Sequence, residues 1–283
     1  MVEPRGKFSV FLRSTRLWVT LLLLLPAAVQ FFPILYMLSI SIKSSNDVFT
    51  WPPTLIPEVF VWTNFGDAME AAPLLRFLFN SFIAACGIMM VQVATSILAA
   101  YALARMNFPG KNLFLWLILA TMMVPGEVTI IPNYLTMASL DWLDSYQALI
   151  VPFSASGFGV FLLYQFFRSI PKELEEAAIV DGAGRMRFLI QILIPLSMPA
   201  VASFAVYSFV TAWNQYLWPL IVTQTVEMRT AQIAIGMFRT QNESTSWGMV
   251  MAATSILITP SILLFIATQR HFVRGVTMSG LKG

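Results

Sequence analysis

The sequence predicts an all-α membrane protein with six transmembrane helices, and three features of the chain support this prediction. Of its 283 residues, 58% are hydrophobic and 11% are charged, whereas soluble domains usually carry about 25% charged residues. Several uncharged stretches reach the roughly 20 apolar residues that a helix needs to cross a bilayer. The basic residues are also distributed unevenly among the segments that connect these stretches.

The six predicted spans cover about 17–42, 77–104, 113–131, 145–167, 196–222 and 248–269. The first follows several basic residues, as a signal peptide does, but its uncharged run exceeds the roughly 7–15 residues of a signal h-region. We therefore expect it to be retained. No long linker or low-complexity tract separates the spans, so we expect a single transmembrane domain over residues 1–283. Cys86 is the only cysteine, which excludes an intrachain disulfide.

The basic residues predict the orientation, because Lys and Arg accumulate on the cytoplasmic side of a membrane protein. Thirteen of the 17 Lys and Arg residues lie before the first span or after the second, fourth and sixth spans. The other four, Lys43, Arg76, Arg229 and Arg239, fall on the opposite side. We therefore expect both termini to be cytoplasmic. The same bias accounts for the net charge of +3, so no nucleic-acid partner is expected.

A charged, helix-forming segment over about 170–195 separates the fourth and fifth spans. Pro171 suits a first helical position, which needs no backbone donor, and Gly182 can end such a helix in the left-handed conformation. Helical spacing suggests that Ala177 and Ala178 contribute to one flat face. The residues alone leave two interpretations open, a docking surface for a soluble partner and a plain amphipathic connector on the membrane. The helix dipole favours acids in the first turns, and three occur there: Glu173, Glu175 and Glu176.

The same segment matches a family motif. In order, it contains Glu176-Ala177-Ala178, three residues, Gly182, nine residues, Ile192, one residue and Ile194-Pro195. This spacing resembles the EAA motif of bacterial ABC importer permeases, with Ile194 in place of a leucine. Overall, the chain resembles the MalG-like permeases of carbohydrate, polyol and glycerol-phosphate importers. Four further stretches carry the resemblance: Tyr101–Arg105, Phe108–Gly110, Trp213–Pro219 and Gln269–Gly283.

The resemblance implies a cytoplasmic coupling helix that docks into a cleft on an ATPase subunit through Glu176, Ala177, Ala178, Asp181 and Gly182. It also implies two ATP-binding subunits, a second related permease subunit and an extracytoplasmic solute-binding protein at the bacterial inner membrane. The sequence contains no GxxxxGK[ST] phosphate loop, the usual means of holding nucleotide phosphates. We therefore expect no cofactor on this chain and the use of ATP and Mg by partner subunits.

A polar-aromatic cluster in the fifth predicted span, Trp213, Asn214, Gln215 and Tyr216, is a candidate for the cargo path. Aromatic planes and uncharged amides suit the C–H faces and hydroxyl groups of a sugar. The same residues could instead pack against a neighbouring helix or belong to an interfacial aromatic belt. Glu127 near the end of the third predicted span is either hydrated at the interface or part of the path.

The predicted cargo is a sugar or related polyol, because no Lys or Arg is predicted mid-span to balance a strong negative charge. Glycerol phosphate is the alternative, since a companion permease could supply the cation. An autonomous secondary transporter is a further alternative, although such proteins often have internal repeats and none is evident here. The sequence offers no catalytic His, Cys pair or metal-ligand cluster, so we expect neither enzymatic activity nor a metal site.

Overall fold

The computed structural model describes residues 5–240 and 246–280, and all regular secondary structure in these ranges is helical. The ends of the chain, which we predict to be cytoplasmic, lie outside them. The helices are α1 (Arg5–Ser41), α2 (Thr63–Ala71), α3 (Leu74–Arg105), α4 (Lys111–Thr121), α5 (Ile130–Ser139), α6 (Tyr146–Ile150), α7 (Gly157–Ser169), α8 (Glu173–Val180), α9 (Arg185–Phe188), α10 (Ile194–Leu196), α11 (Met198–Trp213), α12 (Leu217–Val222), α13 (Ala231–Thr240) and α14 (Trp247–Gly280).

Within residues 5–240 and 246–280, three helical segments are long and apolar enough to cross a membrane, namely Leu22–Ser41, Leu74–Arg105 and Trp247–Leu264. Three bent helix pairs meet the same criterion if each pair forms one crossing. These results support a helical membrane protein, while the count of six spans stays a prediction. The bends are 93° between Lys111–Thr121 and Gly126–Ser139, 46° between Tyr146–Phe153 and Gly157–Ser169, and 80° between Arg185–Leu196 and Met198–Trp213.

Proline and glycine account for two of these bends. Pro125 lies between the halves of the first pair and Gly126 begins the second half, while Pro195 and Pro199 flank the sharp turn at Ser197 in the third pair. Proline lacks a backbone N–H and clashes with the preceding helical turn, so it ends or kinks a helix. The sequence therefore determines where these helices stop being straight.

The described residues form two compact units, one comprising residues up to Ala72 with Phe238–Ile256, the other comprising Pro73–Met237 with the remainder of α14. In the first, Asn64 donates hydrogen bonds from Nδ2 to the carbonyls of Ser41 and Lys43, at 3.0 and 2.9 Å. A Cβ at Gly248 would crowd the Asn64 amide and the Lys43 carbonyl. Glycine at this position thus permits the close approach of α14 to the end of α1.

In the second unit, α3 packs against α7 and α11. A methyl group at Gly159 in α7 would overlap the ring of Phe204 in α11, so glycine is needed for their close approach. Small residues commonly serve this purpose in membrane bundles, where apolar burial alone does not drive helices together. The buried core here includes Ala100, Leu103, Leu163, Phe167, Leu189, Leu193 and Phe204.

Residues 223–230, here called the strap, connect α12 to α13 and are held on the first turns of α3. The Nδ2 of the fully buried Asn80 donates to the carbonyls of Glu227 and Arg229, at 2.7 and 2.9 Å. Its Oδ1 accepts a 2.7 Å hydrogen bond from the hydroxyl of Tyr146. One side chain thus satisfies two strap carbonyls and fixes their position relative to α6.

Asp144 holds the other end of the strap. It adopts φ +57°, a left-handed conformation that Asp tolerates better than most residues, and its carboxylate accepts three hydrogen bonds. The backbone N–H groups of Gln224 and Thr225 donate at 2.8 and 3.1 Å, and the Thr225 hydroxyl donates at 2.7 Å. Burial raises the pKa of Asp144, but these hydrogen bonds outweigh it and leave the pKa below its ordinary value.

We expect Asp144→Asn to destabilise the second unit by about 1 kcal/mol, because the strap loses a charged acceptor. A group whose pKa is lowered on folding stabilises the protein above its unfolded pKa, and this contribution is lost as the pH falls through the folded value. The deficit should therefore be complete at pH 7 and shrink only below about pH 4, the ordinary range of Asp. Thermal unfolding in detergent across this pH range measures it.

Asp141→Asn is the matched control, because Asp141 also has a left-handed backbone, at φ +56°, but lies exposed. Equal midpoints for the two variants at pH 7 would show that the strap does not depend on the Asp144 carboxylate.

Candidate functional site

The segment between α7 and α11 contains the predicted short helix, α8. It carries acids in its first turn and has a left-handed glycine after its end, since Gly182 has φ +77°. The N–H of Gly182 donates to the Ile179 carbonyl at 2.9 Å, and the N–H of Ala183 donates to the Ala178 carbonyl at 2.8 Å. This pair of bonds is the Schellman termination, in which glycine is favoured after the helix end. The local sequence therefore accounts for the end of α8. Its start differs from the prediction, because Pro171 lies before the N-cap Lys172 and the first helical residue is Glu173.

The two alanines of the EAA motif face different environments. Ala178 is 5% exposed and belongs to the buried core with α3 and α7, whereas Ala177 is exposed. They therefore do not form one outward flat face, contrary to the expectation from helical spacing. The outward surface of α8 instead includes Glu173, Glu176, Ala177, Ile179 and the 86% exposed Val180, with Asp181 and Gly182 exposed just beyond its end.

A buried arginine at the end of α3 anchors this segment. The Arg105 side chain is 3% exposed and lies 3.4 Å from the Glu175 carboxylate, measured from Nη1 to Oε2. Its Nη2 also donates to the carbonyls of Phe167 and Ile170, at 2.8 and 2.6 Å. The last carbonyls of a helix lack intrahelical partners, so Arg105 satisfies the end of α7 while it pairs with α8.

Tyr101, one turn earlier on α3, makes a further connection, because its hydroxyl donates to the Arg185 carbonyl at 3.2 Å. Sequence reasoning placed Tyr101 and Arg105 within a family-like stretch but gave them no role. A contact between residues 70 or more positions apart cannot be inferred from a single sequence without knowing how the helices pack. Together the two side chains join the ends of α3 and α7 to α8 and α9.

The fifth-span cluster lies at a helix break. α11 ends at Trp213 and α12 begins at Leu217, which leaves Asn214, Gln215 and Tyr216 outside regular helix. Non-helical backbone at membrane depth is tolerated only where protein covers it or where it lines a water-filled cavity. The polar residues predicted for the cargo path therefore lie on irregular backbone.

The four candidate path residues differ in their surroundings. Trp213 is 2% exposed and stacks on Phe209 with a centroid separation of 5.7 Å. Asn214 is exposed, donates from Nδ2 to the Val210 carbonyl at 2.9 Å, and accepts from Gln232 Nε2 at 3.3 Å. Gln215 is half-buried and Tyr216 is exposed. Trp213 is thus packed inside the protein, while the next three residues carry polar groups beside it.

A second polar group stabilises the break between α6 and α7. Gln92 of α3 donates from Nε2 to the Phe153 carbonyl at 2.7 Å and accepts from the Ser208 hydroxyl at 2.8 Å. Thr95, on the same helix, donates to the Ser154 carbonyl at 2.9 Å. Neither Gln92 nor Thr95 is assigned a role from the sequence, although uncharged polar residues within an apolar span are a signal of one.

Glu127 lies in a one-turn 3-10 helix, Gly126–Thr129, and is exposed. Among the described residues, no hydrogen bond or ion pair connects it to the fifth-span cluster. In residues 5–240 and 246–280, no group of three or more His, Cys, Asp and Glu side chains could hold a metal ion.

Comparison with known proteins places this architecture among transport proteins. Residues 92–278 match the family described as binding-protein-dependent transport system inner membrane component. The chain is 39% identical over 286 residues to the sn-glycerol-3-phosphate transport system permease protein UgpE of Yersinia enterocolitica, covering 99% of both chains. The UgpE of an Escherichia coli O1:K1 strain is 39% identical over 287 residues, again with 99% coverage of both.

Solved structures show the same fold. A bacterial ABC transporter involved in the import of the acidic polysaccharide alginate matches with a TM-score of 0.82 and 24% identity, covering 96% of this chain and 99% of that one. A bacterial alginate ABC transporter in complex with an alginate pentasaccharide-bound periplasmic protein matches with a TM-score of 0.62 and 15% identity, covering 91% and 96%.

Proposed function

The chain belongs to the family of binding-protein-dependent transport system inner membrane components, the permease subunits of ABC importers, and we propose that it carries a small polyol phosphate such as sn-glycerol 3-phosphate. The family assignment confirms the resemblance inferred from the EAA motif. It also confirms that this subunit is not itself an enzyme, since ATP hydrolysis belongs to a separate subunit.

The cargo proposal rests on relatives that are 39–40% identical over 99% of both chains and bear the name of a glycerol-3-phosphate system. A neutral sugar or polyol is the second candidate, because Asn214, Gln215 and Tyr216 offer amides and an aromatic hydroxyl without a formal charge. Both candidates would use the break between α11 and α12 as the path. Glu127 is exposed and has no hydrogen bond or ion pair with the fifth-span cluster among the described residues, so it would lie at most at the edge of this path.

We propose that α8 is the coupling helix on the cytoplasmic side. Its outward surface combines Glu173 and Glu176 with the exposed apolar side chains of Ile179 and Val180. Anionic lipids would repel the acidic side chains of a connector lying on the membrane. Apolar side chains that are exposed in the isolated chain indicate a surface that a partner protein covers. A groove on an ATP-binding subunit accounts for both features.

The proposed assembly contains two ATP-binding subunits, a second related permease and an extracytoplasmic solute-binding protein. In it, both termini of this chain and α8 lie on the cytoplasmic side. The partner subunits would bind ATP and Mg.

The Arg105 contacts explain how a push on α8 would reach the membrane helices. Arg105 joins the end of α3 to the end of α7 and to α8 through three hydrogen-bonded partners. Closure of the ATPase pair on ATP would move α8, and α3 and α7 would follow as one body. Such rigid-body movement switches a two-state bundle between its inward-open and outward-open forms.

Glu176→Lys tests the coupling proposal, because it reverses the charge at the centre of the outward surface without touching the Arg105–Glu175 pair. We expect the purified complex to lose most of its binding-protein-stimulated ATPase activity. Glu58→Lys is the control, as Glu58 is also an exposed carboxylate and lies in the loop predicted to be outside the cell. Unchanged stimulation in Glu176→Lys would refute the docking role.

A cargo screen tests the proposed substrate. The complex is co-purified with its native partners, reconstituted in proteoliposomes with ATP inside, and supplied with its solute-binding protein. We expect sn-glycerol 3-phosphate to be taken up and to raise ATPase turnover, whereas glycerol and maltose should do neither. Uptake of maltose without uptake of the phosphate ester would replace this proposal with a sugar importer.

A further inference from the structure

Within the part of the chain that the structure describes, three buried hydrogen-bonding atoms near the fifth-span break have no partner. They are Nε of Arg229, Oγ1 of Thr230 and Nε1 of Trp213. The two nitrogens are donors, and the hydroxyl can donate. A buried donor without an acceptor destabilises a protein, so three such atoms in neighbouring segments indicate a site where a bound ligand would supply the missing acceptors.

The contacts of α3 bring these atoms into one region. The N–H of Ala231, next to Thr230, donates to the Ser81 hydroxyl at 2.8 Å. Trp213 packs in a buried cluster with Ala85, one helical turn further along α3. A turn advances about 5.4 Å, so the strap end and the Trp213 indole occupy adjacent levels of one helix face.

α13 connects the same region to the polar break. Gln232 in its first turn donates to Asn214, and a Cβ at Gly236 would lie 3.2 Å from the Tyr216 hydroxyl oxygen. These contacts place the amide of Asn214 and the hydroxyl of Tyr216 along the helix that begins directly after Arg229 and Thr230.

Arg229 also has an unbalanced charge. Its Nη1 lies 2.8 Å from Sδ of Met237, and a thioether is a weak, uncharged acceptor. Among the described residues, its guanidinium forms no salt bridge with a carboxylate. A partly buried cation usually pairs with an anion. The sequence placed Arg229 in an external loop, and its partial burial was not expected.

We propose that Arg229, with Thr230 and the Trp213 indole, binds the phosphate group of the cargo at the outer end of the path. The proposal rests on the polyol-phosphate function and deepens it by locating the charged subsite within this chain. Arginine suits this task, because its planar guanidinium presents paired donors that match phosphate oxygens. The amides of Asn214 and Gln232 and the Tyr216 hydroxyl would then face the polyol hydroxyl groups.

Saturation-transfer NMR with sn-glycerol 3-phosphate tests the subsite directly on the purified complex without its solute-binding protein. We expect transfer to the glycerol protons in the wild type, loss of transfer in Arg229→Gln, and partial retention in Arg229→Lys, which keeps the charge. Arg76→Gln is the matched control, because Arg76 donates to the same strap, at the Glu227 carbonyl, but is exposed. It should retain wild-type transfer.

Uptake in proteoliposomes at saturating binding protein gives a second measurement. We expect Arg229→Gln to lower uptake at least about tenfold, since hydrogen bonds to charged groups usually exceed the free energy of one decade. Arg76→Gln should change uptake less than about twofold on the same scale. Wild-type binding and uptake in Arg229→Gln would overturn the proposal, as would equal losses in the two variants.

Two further outcomes would assign the subsite to a lipid or the path to a neutral sugar. A phospholipid headgroup offers the same phosphate chemistry, so the NMR experiment is done in maltoside micelles and in phospholipid nanodiscs. A signal abolished by nanodiscs would assign the site to lipid and overturn the proposal. A wild type that takes up a neutral sugar but no phosphate ester would instead contradict the proposed function, and the subsite with it.

Discussion

A carbonyl that a broken helix leaves unpaired inside a bilayer has no water to bond with, so the protein must supply a donor. This chain interrupts its helices repeatedly, at residues 122–125, 154–156 and 214–216. Side chains from α3 satisfy carbonyls at the second of these breaks, in the strap and at the end of α7. Gln92 and Thr95 bond Phe153 and Ser154, Asn80 bonds the strap, and Arg105 bonds the end of α7. α3 thus connects these segments of its unit through side-chain hydrogen bonds.

The proposed function follows from the segments that α3 connects. Asn80 fixes the strap beside the proposed cargo subsite at one end of α3, and Arg105 fixes α8 at the other. A push on α8 would then move the helix whose far end positions Arg229. Such a connection is physical, since each step is a hydrogen bond or a packed side chain, and it requires only that α3 remain a continuous helix.

The sequence predicted the helical membrane class, the family and the end of α8, because these depend on composition and on the local rule for Gly182. It placed Pro171 at the first helical position, whereas α8 begins at Glu173 after Lys172 as the N-cap. It did not predict that Ala178 faces inward. In a short helix between two apolar segments, helical spacing shows which residues share a face of the helix. It does not show which face packs against the rest of the protein. The contacts of Arg105 and the unpaired charge of Arg229 could not be predicted from the sequence either, since they depend on packing between helices distant in the sequence.

The proposed mechanism requires α8 and α3 to move as one body, and a distance measurement on the assembled importer tests this joint movement. Spin labels at Lys172→Cys and Asn107→Cys, both exposed positions, with Cys86 replaced by Ala, report the separation of the two segments. We expect the same distance in nucleotide-free and ATP-bound complexes within the roughly 1–2 Å of a helix shift, while the distance from Lys172 to a label on the second permease changes. We also expect Arg105→Gln to broaden the first distance. An ATP-dependent change of a full helical turn, about 5.4 Å, between Lys172 and Asn107 in the otherwise intact protein would contradict the joint movement.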